Sequence, residues 1–322
     1  MPALLDLDPA AYRPHALHLP DRQFPETNCY TDLWIELLHA RGFEPLAMLA
    51  FCIPVDFEGD QWTFFKPPPE DLVRLYGLEV QELVVYRSLP EHLAAQLELE
   101  RTVIVEVDAY YLPDTAGRSY REQHEKSSIA VDSLDAAGER MRYFHNQGYY
   151  EVAGADYRNV LRVGRDFSTD VLAPYVELVR GDRFSACPPE ALHTVAAELL
   201  DAQLARVPDD NPVERFGASL TNDLPDLLDD QQAFHLYAFA TLRQCGAAWD
   251  TAAAFLTWLA NGEQSALADA GQAFAGLAAD AKILLFRLAR ASATGKPLDS
   301  APAIGELAVR WDRAMSLLGV SR

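Results

Sequence analysis

The 322-residue sequence contains only four cysteines, and none of them forms a C-x-x-C pair with another. Cys29, Cys52, Cys187 and Cys245 are far apart in the chain, which excludes the framework of a small disulfide-rich domain and the ligand spacing of a structural zinc site. The four side chains are therefore expected to be reduced thiols, and no metal site is predicted.

Basic residues are also scarce, with 27 Lys and Arg against 48 Asp and Glu and a formal net charge of −21. Nucleic acids and anionic lipid surfaces bind basic protein faces, so neither is expected as a partner. The sequence has no charge-free apolar run of about 18 residues, and its first residues lack the basic-then-apolar order of a signal peptide. These features predict a cytoplasmic protein that does not act in a membrane.

Sequence motifs that indicate cofactor binding are missing as well. The chain contains no G-x-x-x-x-G-K-[ST] loop, no G-x-G-x-x-G after a strand, no H-E-x-x-H pair and no G-x-S-x-G elbow. No covalently bound cofactor is predicted, and any chemistry would depend on side chains alone.

The pattern of apolar residues changes near residue 160. Before that point, β-branched and aromatic residues are frequent in "TVIVEVDAYYLP" (102–113) and "MRYFHNQ" (141–147), which indicates strands mixed with helices. After it, helical spacing and alanine dominate almost every segment. The sequence therefore predicts an α+β domain over residues 1–161 followed by an all-α helical domain over residues 162–322.

One cysteine stands at a position that favours chemistry. In "RQFPETNCYTDLWIELLHARG" (22–42) the apolar residues after Cys29 follow helical spacing up to Gly42, so a helix is predicted to begin at Cys29. The free N–H groups and the dipole at a helix N-terminus stabilise a thiolate, which makes a cysteine there a better nucleophile. Gln23, six residues upstream, could fold back and donate a hydrogen bond to an oxyanion.

A thiolate nucleophile needs a base, and His124 is the candidate. It precedes a strand-like run, and a second strand ends in His145 and Asn146 about twenty residues later. If the two strands form a hairpin around "DSLDAAGER", the end of the second returns to the start of the first. Either Asn146 or His145 could then orient the His124 ring.

The ordered set of Gln23, Cys29 and His124, followed by a polar residue at the next strand, resembles the papain-like cysteine peptidase superfamily. More closely, "NCYTDLWIELL", "VIVEVDAYYLP", "REQHEKSSIAV" and "YYEVAGADY" are similar to the N-terminal domain of the butirosin-biosynthesis acyltransferase family. That similarity covers residues 23–161. The whole chain resembles an uncharacterised bacterial family encoded beside amino acid:carrier protein ligases and small carrier proteins.

The resemblance implies a papain-like fold and a cysteine acyltransferase. Cys29 would be the nucleophile, His124 the base and Gln23 the oxyanion donor, with an acyl or aminoacyl group passing from a phosphopantetheine thioester on a small carrier protein to a small-molecule amine. The third residue of the set is usually Asp, whereas this sequence reads "HN" (145–146). Asn146 or His145 would fill that role.

Several alternatives stay open. Asp108 and Tyr30 are weak candidates for substrate binding, although Asp108 could equally be a buried carboxylate bonded to the backbone. The same site could hydrolyse an amide or thioester as a peptidase or amidase, or the protein could be an inactive partner that only binds a carrier protein. Because carrier proteins are commonly acidic, docking would require a local basic or apolar patch. The candidates for that patch are Arg162, Arg165, Arg180 and Arg183.

Overall fold

The computed structural model describes residues 3–167 and 169–320. The chain divides into two compact units that both contain discontinuous segments. The first comprises residues 1–16, 28–45 and 68–188, and the second comprises residues 17–27, 46–67 and 189–322.

The first unit combines helices and strands. In chain order its elements are α1 (Cys29–Ala40), α2 (Pro69–Tyr76), β1 (Glu79–Leu83), α3 (Leu89–Leu97), β2 (Thr102–Asp108), β3 (Lys126–Asp135), β4 (Arg140–His145), β5 (Gly148–Ala153), α4 (Gly154–Val160) and β6 (Val176–Arg180). Within the described residues, the strands form one six-stranded antiparallel sheet in the order β1-β6-β2-β3-β4-β5. The predicted hairpin is confirmed, since β3 and β4 pair on either side of residues 136–139.

The two faces of this sheet have different coverings. Alternate residues of a strand point to opposite faces, so Val103, Val105 and Val107 of β2 share one face. That face packs into a buried cluster with apolar side chains of α3 and α4. The remaining residues of β2 point to the opposite face, and they are Thr102, Ile104, Glu106 and Asp108.

Helix α1 lies on the face that Thr102 and Asp108 share. Arg41, which caps the end of α1, donates to the Thr102 hydroxyl at the start of β2 over 2.6 Å. Tyr30, in the first turn of α1, donates to a carboxylate oxygen of Glu177 over 2.6 Å, and Glu177 pairs with Ile104 in the sheet. These two contacts place α1 over the sheet face that Thr102, Ile104, Glu106 and Asp108 share.

The second unit is helical. Its elements are α5 (Leu192–Leu204), α6 (Pro212–Asp229), α7 (Gln231–Ala238), a π-helical segment (Phe239–Arg243), α8 (Gln244–Leu259), α9 (Ala266–Thr294) and α10 (Ala301–Leu317). Segments from the first quarter of the chain complete its core. Phe57 and Trp62 pack edge-on or tilted against Phe216 of α6, and Trp62 also packs against Trp249 of α8.

The α+β character of the first part and the helical character of the last part are confirmed. The predicted change at 161/162 lies before β6, which the structure places between β1 and β2 in the sheet. The sheet unit accordingly continues to residue 188. Local patterns could not reveal that residues 17–27 and 46–67 belong with the later helices, because the contacts are formed with residues more than 150 positions away. Among the described residues, no helix is long and apolar enough to cross a membrane.

Because the carboxylate of Asp132 in β3 is buried, the folded protein is expected to gain stability when the pH is lowered. Its oxygens accept hydrogen bonds from the Leu5 amide and the Tyr149 hydroxyl, yet burial raises its pKa above the ordinary value of 3.8. At pH values between 3.8, the pKa in the unfolded chain, and the higher pKa in the folded chain, the native state binds more protons than the unfolded state. The stability that this protonation adds is therefore fully present below pH 3.8 and is lost as the pH rises through the folded pKa. Urea unfolding at several pH values should show wild type gaining stability relative to Asp132→Asn on acidification, and a pH-independent difference would contradict this.

Candidate active site

Cys29 is the first residue of α1, as the sequence predicts. The preceding Asn28 has an extended backbone, and its side-chain oxygen accepts the Thr31 amide at 2.9 Å, which is the usual N-cap arrangement. The Cys29 side chain is half-buried. The thiol thus lies at the positive end of the helix dipole, which favours an anion.

His124 and Asp108 form a hydrogen-bonded pair at the end of β2. Nδ1 of His124 lies 2.6 Å from Oδ2 of Asp108, while Oδ1 accepts the Tyr110 amide at 3.0 Å. The His124 ring also stacks on Tyr110, with centroids 4.4 Å apart and planes 17° apart. The imidazole is therefore fixed in orientation even though 68% of its side chain is exposed.

Cys29 and Asp108 both belong to the sheet unit. Asp108 is the last residue of β2 and shares a strand face with Thr102, to which Arg41 at the end of α1 donates. Helix α1, which begins with Cys29, therefore packs on the face of β2 to which Asp108 belongs.

The residue that contacts the His124 ring differs from the one predicted. Asn146 or His145 was expected, but the side chain bonded to the ring is that of Asp108, for which only substrate binding or a bond to the backbone was predicted. Asn146 occupies the tight turn between β4 and β5 with a φ of +45°, a left-handed conformation that asparagine tolerates well.

His145 lies on the opposite face of the sheet from α1. Its neighbour Phe144 packs against Tyr12, whose hydroxyl bonds to Glu36 of α1, so Phe144 faces the helix. Adjacent strand residues alternate in direction, which turns His145 toward the α3 and α4 side. There it cannot orient a ring that contacts Asp108 on the α1 face.

On that face His145 belongs to a buried polar network. Its Nδ1 lies 2.5 Å from Oδ2 of Asp114 and its Nε2 lies 2.6 Å from the Ser127 hydroxyl. The second oxygen of Asp114 accepts the Tyr143 hydroxyl at 2.5 Å. The order Ser127, His145, Asp114 resembles that of a serine nucleophile set, but Ser127 is 5% and His145 1% exposed. The network therefore ties the segment around Asp114 to β3 and β4.

Removing the shared carboxylate of this network should strongly destabilise the fold. Asp114→Ala leaves His145 and Tyr143 buried without their acceptor, and we expect a loss of about 3 to 5 kcal/mol in the free energy of unfolding. Ser127→Ala removes one neutral hydrogen bond and should cost about 1 kcal/mol. Urea denaturation of both variants is the measurement, and equal losses would show that Asp114 is not the centre of the network.

The other predicted residues are placed as follows. Tyr30 donates to Glu177, which also accepts the Tyr175 hydroxyl at 2.9 Å, so Tyr30 is committed inside the first unit. Burial and Glu177 raise the pKa of Tyr175 to about 12, which keeps this hydroxyl a donor at neutral pH. Gln23 belongs to the second unit, where its backbone carbonyl accepts a hydrogen bond from the Lys282 ammonium. Its role as an oxyanion donor stays a prediction.

The four thiols should differ sharply in reactivity. Cys52 and Cys245 are fully buried, and burial raises the pKa of both thiols above the ordinary value of 9.0. Cys29 and Cys187 are half-buried, and only Cys29 begins a helix. Iodoacetamide at pH 7, followed by peptide mass spectrometry, should label Cys29 first, Cys187 next and the other two only after denaturation. Uniform labelling would mean that Cys29 is simply a packing residue.

The sequence contains part of the information that pairs His124 with Asp108. Asp108 ends one strand and His124 comes just before another, and neighbouring antiparallel strands bring such ends together. The adjacency itself is a property of the sheet, in which Asp108 lies opposite Lys126. Among the described residues, no group of three or more His, Cys, Asp or Glu side chains is arranged to hold a metal ion.

Two family models together match nearly the whole chain. The DUF1839 N-terminal domain matches residues 13–181 and the DUF1839 C-terminal domain matches residues 189–319. The chain belongs to the DUF1839 family, and its two matched regions meet near residue 188, where the sheet unit ends. No curated protein sequence matches the chain significantly.

Proposed function

We propose that this DUF1839-family protein is a papain-like cysteine acyltransferase that moves an acyl group, most simply an aminoacyl group, from a carrier-protein thioester to a small amine. The observation that supports it best is the 2.6 Å contact between His124 and Asp108, in a sheet unit whose helix α1 begins with Cys29. A cysteine at a helix start, a histidine before a strand and a carboxylate that orients the imidazole are the groups that such chemistry needs.

In the first half of the reaction, the Cys29 thiolate attacks the thioester carbonyl carbon and forms a new C–S bond. The carbonyl π electrons move onto oxygen, and the Cys29 backbone amide would donate to that oxyanion. When the carbonyl re-forms, the bond to the phosphopantetheine sulfur breaks. The departing thiolate takes a proton from the His124 imidazolium, which leaves a neutral imidazole and an acyl group on Cys29.

In the second half, an amine nitrogen attacks the acyl carbon of Cys29. The neutral His124 ring accepts the proton that the nitrogen loses, and the C–S bond to Cys29 breaks to regenerate the thiolate. Because Nδ1 is held by Asp108, Nε2 is the nitrogen that exchanges protons with sulfur and substrate. Phosphopantetheine enters as part of the donor substrate and is not a resident cofactor of the protein.

A second candidate is hydrolysis by the same residues, as in a peptidase or amidase. The observation that favours it is the 68% exposure of the His124 side chain. An exposed imidazole can accept a proton from an attacking water molecule as readily as from an amine. Both candidates share the acyl-enzyme on Cys29, and they differ only in the acceptor.

Intact-mass spectrometry after incubation with an aminoacyl carrier protein tests the proposal. We expect an adduct of one aminoacyl group on Cys29, which a panel of small amines discharges to amide products. Release of free amino acid at one rate, whatever amine is present, would establish the hydrolase. Tight carrier-protein binding with no Cys29 adduct would instead identify an inactive binding protein.

A further inference from the structure

The outer face of α9 carries a stripe of exposed residues that is apolar and cationic. Ile283, Phe286, Arg287 and Arg290 follow the spacing i, i+3, i+4 and i+7, which places them on one side of the helix. Ile283 is 48% exposed and Phe286 is 62% exposed, whereas Leu284 and Leu288, on the other side, are buried. We call these four residues the α9 stripe.

The charge around the α9 stripe is opposite to that of the protein as a whole. Residues 281–298 contain four basic residues and no acidic residue, in a chain that has 48 acidic and 27 basic residues. Arg287 and Arg290 form no ion pair with any residue that the structure describes, whereas the nearby Arg310 is paired with Asp280 at 2.8 Å. Two exposed guanidinium groups beside an aromatic ring are thus left available for carboxylates.

The arginines considered from sequence are less available for docking. Arg180 donates twice to Asp182 at 2.6 Å, Arg183 pairs with Glu79 at 3.2 Å, and Arg162 donates to the Leu172 carbonyl. Arg165 is exposed and has no ion-pair partner in the described part of the chain, but it has no matching apolar stripe. It therefore serves as a matched control.

We propose that the α9 stripe docks the acyl-donating carrier protein through an acidic surface of that partner. Two acidic proteins repel at long range, so a stable encounter needs a local surface of the opposite charge. Arg287 and Arg290 supply that charge, and Phe286 with Ile283 supplies the apolar contact that a small transient interface requires at its centre. The choice of partner rests on the proposed function, while the stripe itself does not.

The test uses the full-length protein and a fluorophore-labelled acidic carrier protein in its phosphopantetheine form. The double variant Arg287→Glu/Arg290→Glu should raise the dissociation constant by about tenfold or more, and Phe286→Ala should raise it several-fold. Wild-type binding should weaken with added NaCl, and the double variant should lose most of that dependence. Arg165→Glu, which makes the same charge change as the single variant Arg287→Glu, should bind like wild type, whereas Arg287→Glu should bind more weakly.

A second readout separates docking from chemistry. The double variant should raise KM for the aminoacyl carrier protein by about tenfold while leaving turnover of a small pantetheine thioester unchanged, since that substrate has no protein surface to dock. Failure of wild type to acylate Cys29 from either thioester would remove the proposed function, and the binding measurement would still decide the role of the stripe.

Three results would overturn the docking proposal. These are no measurable binding of the carrier protein to wild type, equal dissociation constants for wild type and the double variant, and equal weakening by Arg165→Glu. Wild-type binding to vesicles of anionic phospholipid that the double variant abolishes would assign the stripe to a membrane surface instead. Unchanged thermal melting of each variant confirms that these exposed substitutions leave the fold intact.

Discussion

Cys29→Ala should abolish both the acyl adduct and the transfer of the acyl group to an amine. The substitution removes the only atom that carries the acyl group and little of the contact area, so carrier-protein binding should persist. His124→Ala should slow acylation by about 10²- to 10⁴-fold, the usual contribution of a positioned general acid and base. Rates of adduct formation in a single turnover, followed by intact mass, provide the measurement.

The matched control for this experiment is Cys187→Ala. Cys187 is the other half-buried thiol, and its sulfur lies 3.4 Å from the Pro188 carbonyl oxygen rather than at a helix start. This variant should acylate at the wild-type rate. An adduct that survives in Cys29→Ala and disappears in Cys187→Ala would identify Cys187 as the nucleophile and end the proposal.

Asp108→Asn should be the next most damaging change, with a loss of about 10²- to 10⁴-fold in the rate of acylation. The amide keeps the shape of the carboxylate, but it no longer stabilises the imidazolium or fixes the tautomer that leaves Nε2 free. Asn146→Ala should change the rate by only about twofold, because Asn146 occupies a hairpin turn and the ring of His124 is held by Asp108. The pH dependence of acylation should shift in Asp108→Asn and stay unchanged in Asn146→Ala.

Glu106→Gln supplies the charge control for Asp108. Glu106 lies two residues earlier on the same face of β2, where it pairs with Lys126 at 3.2 Å. Glu106→Gln removes the same charge as Asp108→Asn, but Glu106 does not contact His124. The rate of acylation should therefore change little. A large loss in Asn146→Ala with normal activity in Asp108→Asn would restore the assignment that the sequence favoured and exclude the one that the structure favours.

Some features of this protein were readable from local sequence patterns. The helix that begins at Cys29 is encoded by its own apolar spacing and by the Asn28 cap, which involve residues within four positions of one another. The β3–β4 hairpin is encoded in the same way, by two strand-like runs around a short polar turn. The charge imbalance, which makes the α9 stripe unusual, also needs nothing beyond the sequence.

The partner of His124 was decided by tertiary structure alone. Asp108 and His124 are 16 residues apart, and they meet because β2 pairs with β3 in a register that sets Asp108 opposite Lys126. His145 was the alternative to Asn146, yet a single step along β4 turns its side chain to the other face, where Asp114 and Ser127 bind it. Local periodicity shows that a strand alternates but not which face meets α1.

The extent of the two units was likewise decided by long-range contacts. β6 enters the sheet between β1 and β2, about 70 residues after β2. Within residues 46–67, Phe57 and Trp62 contact helix residues more than 150 positions later. Apolar spacing is set by neighbours in the chain, so the sequence determined the helices, the strands and the position of Cys29. Strand order, register and the grouping of distant segments are set by which surfaces bury each other best, and only the folded chain makes that comparison.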